Sequence, residues 1–119
     1  MGQYYMLVNH TKKEYVCPWC MDGLGKIREW MSPQSDVLPY LLRKSTEVGG
    51  GDFEVEGKEF VGHWAGDSIM FLGEYDKDYS LKDIEKEYKN ITIPLLDEMG
   101  KFAPYADYGP CNSHGGNSA

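Results

Sequence analysis

The sequence predicts a single α+β domain. Three observations lead there: two strand-forming runs split by a polar break near the N-terminus, a continuous apolar run at 68–73, and an apolar repeat over 81–99. The expected architecture is an N-terminal β-hairpin and a central strand in a mainly antiparallel sheet, packed by a C-terminal amphipathic helix. A chain of 119 residues that is 41% hydrophobic and 13% aromatic can bury one core, and it is short for two ordinary domains.

Taken in order, "QYYMLVN" (3–9) is rich in strand formers, "HTKK" (10–13) is polar and turn-like, and "EYVC" (14–17) can return as the antiparallel partner. Helical spacing follows in "GKIREWM" (25–31) and "SDVLPYLLRKS" (35–45); Pro39 falls near the first turn of the second, where a missing amide donor does no harm. The glycines of "VGGGDFEVEGKEFVGHWAGD" (48–67) exclude a long helix and predict a loop, a short strand and a second turn. "SIMFLG" (68–73) reads as a strand covered on both faces, in the middle of the sheet. Ser80 and Asp83 resemble a capping box, and Leu81, Ile84, Tyr88, Ile91, Leu95 and Met99 recur at steps of three and four. Pro94 inside that pattern predicts a kink or split near 91–93, and Gly100 ends it. The remainder, 103–119, has neither period and is expected to be an irregular tail unless something ties it down.

A metal is one such tie. Cys17 and Cys20 are three positions apart across Pro18-Trp19, and Cys111 and His114 repeat the step, so two knuckles would supply the four donors of one structural zinc site. The halves lie far apart in the chain, unlike the familiar local zinc modules, and two other readings stay open. The thiols are ordinary buried cysteines, or "CPWC" is a redox pair like that of thioredoxin-like proteins, although the glycines of "MDGLG" start a helix poorly.

Charge narrows the partners. Nineteen acidic against twelve basic side chains give a formal charge of −7, which repels nucleic acid. No apolar run is long enough to span a bilayer and the start lacks the order of a secretory signal, so no membrane partner and a cytoplasmic location are expected. Among candidate ligand-binding groups, "GHWAGD" places His63, Trp64 and Asp67 around glycines at a strand end, and "GGGD" offers Gly50, Gly51 and Asp52 for close backbone approach to a phosphate. The plain alternative makes Trp64 a core anchor, Gly66 a positive-φ residue and Asp67 a turn cap. Glu74, Asp76 and Asp78 form an acidic cluster that does not fit a calcium-loop template. Asp67 and Glu74 are too far apart along an extended strand to share acid–base work.

"MGQYY", "VN", "KKEY", "GGGD", "GHWAGD" and "GEYD", in that order, resemble an uncharacterised family of small proteins found in bacteria and their phages. The resemblance covers about half of the chain. That family has no assigned activity, so the resemblance implies no catalytic residue. It usually carries Arg at the position of His63 and lacks cysteine at those of Cys17 and Cys20, which would make a zinc site this member's own structural addition. Two functions follow as expectations. The first is a small acidic binding protein with structural zinc, acting in phage–host conflict. The second is a small enzyme or sequestering protein for a phosphorylated small molecule, using the "GGGD" and "GHWAGD" loops.

Overall fold

The computed structural model describes residues 3–21, 25–31, 34–52 and 54–100. These form a four-stranded mixed sheet of order β3-β1-β2-β4, with four α-helices. β1 (Tyr5–Asn9) and β2 (Glu14–Val16) make the expected hairpin, with Leu7 opposite Val16 and Asn9 opposite Glu14. Its turn is set by Asn9, whose side-chain carbonyl accepts from the Lys12 amide at 2.8 Å, and by Lys13, which takes a left-handed φ of 57°. α1 (Ile27–Met31) and α2 (Val37–Leu42) fall where their spacing places them, and Pro39 sits in the first turn of α2.

β3 (Ile69–Gly73) pairs antiparallel with β1, and here the expectation needs correcting. The run 68–73 is an edge strand, and the middle of the sheet is shared by β1 and β2. An apolar run reports cover on the two faces and carries no information about lateral neighbours. Even the cover is incomplete, since Met70 is 37% exposed. A second correction concerns 48–67: its described residues contain turns and no strand, because glycines 49, 50, 51, 57, 62 and 66 all take positive φ.

The 81–99 pattern is divided between two helices. α3 (Leu81–Glu87) starts at Ser80, whose hydroxyl accepts from the amides of Lys82 and Asp83. The chain then runs extended through β4 (Lys89–Asn90), parallel to β2, before α4 (Thr92–Met99). Pro94 is the third residue of α4, a position that needs no amide donor, so of the kink or split expected near 91–93 the structure takes the split, with the proline in the first turn of the second helix. Packing explains the division. Leu81, Ile84 and Tyr88 join Met6, Val8, Tyr15 and Leu72 on one face of the sheet. Ile91, Leu95 and Met99 join Leu7, Val16, Trp30, Leu41 and Trp64 on the other. One straight helix cannot serve both layers; two helices around the β4 edge can. Gly100 closes α4 at φ 74°, its amide donating to the Asp97 carbonyl.

Candidate functional site

The hairpin-turn end of the sheet brings together His63, Trp64 and Asp67 of the residues singled out from the sequence. The 60–67 loop is a string of tight turns: the amides of His63, Ala65 and Asp67 donate to the carbonyls of Phe60, Gly62 and Trp64. It is pinned to α2 by the Gly62 amide on the Tyr40 carbonyl at 2.8 Å and by the Trp64 amide on the Leu41 carbonyl at 2.9 Å. Gly62 has φ 71°, and a Cβ there would lie 2.5 Å from the Arg43 carbonyl oxygen, so both conformation and close approach demand glycine.

Two carboxylates organise this end. Glu14 begins β2 on the same face as Val16, and its Oε1 accepts from Trp64 Nε1 at 2.7 Å and from His63 Nε2 at 3.0 Å. The carboxylate acceptor requires a proton on His63 Nε2. Trp64 is fully buried in the core, as the plain alternative held, whereas the His63 side chain stays 24% exposed. Asp67 Oδ2 accepts from Lys12 Nζ at 2.6 Å and from buried Asn9 Nδ2 at 2.8 Å. Those bonds, the lysine first and the amide second, hold the Asp67 carboxyl below its ordinary value of 3.8 against the opposing effect of burial. Asp67 therefore joins loop to hairpin through its side chain.

The "GGGD" loop is separate. Gly50 and Gly51 are exposed, and Asp52 accepts from Arg43 Nε at 2.8 Å while the same guanidinium donates to the Glu47 carbonyl. A cleft of about 320 Å3 beside it is walled by residues of 48–56, among them Asp52, Glu54 and Glu56. His63, Trp64 and Asp67 take no part in those walls. Asp52 is compensated by Arg43, and the other two carboxylates lining the cleft, Glu54 and Glu56, repel a phosphate. The acidic cluster is likewise turn chemistry in part: Asp76 Oδ2 accepts from the amides of Asp78 and Tyr79 at 2.9 Å, and Glu74 Oε1 from the Tyr4 amide at 3.1 Å.

Cys17 and Cys20 are both fully buried on the α3 side of the sheet, around a turn closed by the Met21 amide on the Pro18 carbonyl. Thr92 Oγ1 accepts from the Cys17 amide at 2.7 Å, and Asn90 Nδ2 lies 3.5 Å from Cys20 Sγ. Cys111 and His114, the other half of the expected zinc set, lie outside the described residues. Among the described residues no three His, Cys, Asp or Glu side chains are grouped to hold a metal ion.

Sequence reasoning missed Glu14, Lys12 and Asn9. Glu14 carried a usable signal, because period two from inward-facing Val16 points a carboxylate at the core, where it must find donors. Another missed clamp is Glu98 of α4, which accepts from the Tyr40 hydroxyl at 2.9 Å and from the amides of Glu59 and Phe60. Burial and that carboxylate push the Tyr40 hydroxyl up to about 12. No described helix is long and apolar enough to cross a membrane. No protein-family model, curated protein or solved structure matches this chain.

Proposed function

We propose that this chain is a small acidic interaction protein of the cytoplasm, with a structural zinc ion on Cys17, Cys20, Cys111 and His114. One observation carries the non-enzymatic reading. The side chains best suited to chemistry are engaged with one another: Glu14 with His63 and Trp64, Asp67 with Lys12 and Asn9, Asp52 with Arg43. A general base or nucleophile needs a lone pair directed at a reacting atom, and the oxygens Glu14 Oε1, Asp67 Oδ2 and Asp52 Oδ2 spend theirs on holding loops to the sheet. The acidic walls of the cleft beside "GGGD" argue against the phosphate-binding alternative. The two matching three-residue steps of the cysteines and His114 support the zinc. The resemblance to a family of phages and bacteria supports a role in phage–host conflict.

Native mass spectrometry of the purified chain before and after chelation tests both parts. The expected result is one zinc per chain, lost on chelation together with protection of the three thiols from alkylation, and no small-molecule adduct. A copurifying phosphorylated compound would overturn the interaction reading. Freely reactive thiols without metal would overturn the zinc.

A further inference from the structure

The backbone pairing shows which groups of β3 face outward. The His10 amide donates to the Ser68 carbonyl and the Glu74 amide to the Tyr4 carbonyl, each at 2.9 Å. Between them, Val8 with Met70 and Met6 with Leu72 are therefore the hydrogen-bonded pairs, and the peptide groups of Ile69 and Phe71 point away from β1. Among the described residues no strand lies on that side. The sequence "IMFLG" has no lysine, glutamate or proline to blunt the edge, and such an edge is a template for another strand.

The surroundings are apolar. Met70 is 37% exposed, Tyr75 follows just after the strand with its ring exposed, and Ile27 and Met31 are exposed on α1, the helix whose Trp30 ring lies 5.1 Å from that of Phe71. The two ends of the edge differ in sign. Lys12, paired with Asp67, and Lys13 stand on the hairpin turn beside Ser68 and leave one positive charge in excess, while Glu74, Asp76 and Asp78, with Lys77 among them, leave a negative excess at the other end. A net charge of −7 opposes casual self-association, so a second copy must approach with unlike ends together. An antiparallel two-fold arrangement does this twice; a parallel one sets like against like.

We infer that β3 pairs antiparallel with β3 of a second copy of this chain about a two-fold axis at Met70, joining two four-stranded sheets into one continuous sheet. This register uses the outward peptide groups of Ile69 and Phe71 on both copies. It places the two Met70 side chains opposite each other at a non-hydrogen-bonded pair, with Cα atoms about 4.5 Å apart. The alternative register, centred on Phe71, would leave the methionines a diagonal step of about 7–8 Å apart. The inference goes beyond the interaction reading and does not depend on it.

Sedimentation equilibrium on the full chain between about 1 μM and 1 mM is expected to show twice the chain mass at the upper end. Met70→Lys sets like charges face to face and should raise the dissociation constant roughly tenfold or more. The midpoint of its unfolding at low protein concentration should change little, because Met70 is 37% exposed and a lysine there can carry its ammonium out to water. Met70→Cys, oxidised with diamide, should give a dimer whose new disulfide maps by peptide mass spectrometry to residue 70 of both copies, since about 4.5 Å lies within disulfide reach and a diagonal step does not. A single-chain mass at about 1 mM overturns the inference. So does a dimer that survives Met70→Lys and leaves the Met70→Cys thiols unlinked, which would place its interface elsewhere. A monomer that pairs β3 only with a foreign strand overturns it too, while leaving the interaction reading intact.

Discussion

Glu14→Ala tests whether the hairpin-turn end of the sheet is a structural clamp. The substitution removes the acceptor from the fully buried Trp64 indole, whose N–H sits 2.7 Å from Glu14 Oε1. An unsatisfied buried donor costs about 1–3 kcal/mol. His63 loses its partner as well, but its side chain is 24% exposed and water replaces the carboxylate there, so that bond adds at most about 1 kcal/mol. Release of a partly desolvated carboxylate offsets some of the loss, which leaves a net cost of about 2–3 kcal/mol. Against a domain stability of about 5–15 kcal/mol the melting temperature should fall by roughly 10 °C. Glu14→Gln keeps one carbonyl acceptor of the same size and should cost about 1 kcal/mol, and His63→Ala about 1 kcal/mol or less. Urea unfolding followed by tryptophan fluorescence gives all three values on one scale. A Glu14→Ala midpoint within about 0.5 kcal/mol of the parent would refute the clamp and make Glu14 and His63 candidate reactive groups.

Asp67 has a folded pKa below 3.8, so it contributes stability that is fully present above that value and is lost as pH falls through the lower folded one. Asp67→Asn should therefore weaken the protein near neutrality and flatten the acid limb of the unfolding midpoint measured downward from about pH 5; an unchanged acid limb would show that the Lys12 pairing adds nothing. Gly62→Ala puts a Cβ 2.5 Å from the Arg43 carbonyl oxygen and should cost at least about 2 kcal/mol. Gly66→Ala shares the positive φ but meets open space and should cost about 1–2 kcal/mol; equal losses in a urea titration would show that conformation alone matters at Gly62.

What could be read in the sequence follows from what local periodicity encodes. The hairpin, the start of α3 at Ser80 and the stop at Gly100 rest on turn and cap chemistry within a few residues, and each is in place. Pro94 signalled a split in the 81–99 repeat, but the lateral position of "SIMFLG" and the pairing of Lys89–Asn90 with β2 depend on which strand lies alongside, which no local pattern states. The apolar repeat over 81–99 was real, yet it addressed two layers of core in turn. His63, Trp64 and Asp67 lie in the string of turns just before β3. Their roles were hidden because the deciding partners, Glu14 and Lys12, are about fifty residues earlier in the chain.

The strand order also bears on the path by which the chain reaches this structure. The hairpin is complete at Val16, but its flanks are strands that arrive only at 69–73 and 89–90. A polypeptide made from its N-terminus at roughly 5–20 residues per second leaves both sides of that hairpin bare for about 3–11 s and its β2 side for about 4–15 s, long enough for a nascent strand to find a wrong neighbour. Closure of such distant pairings is entropically slow even for a released chain. Refolding of this small domain should therefore be sluggish for its size, and its yield should fall as protein concentration rises during the first seconds after dilution from denaturant.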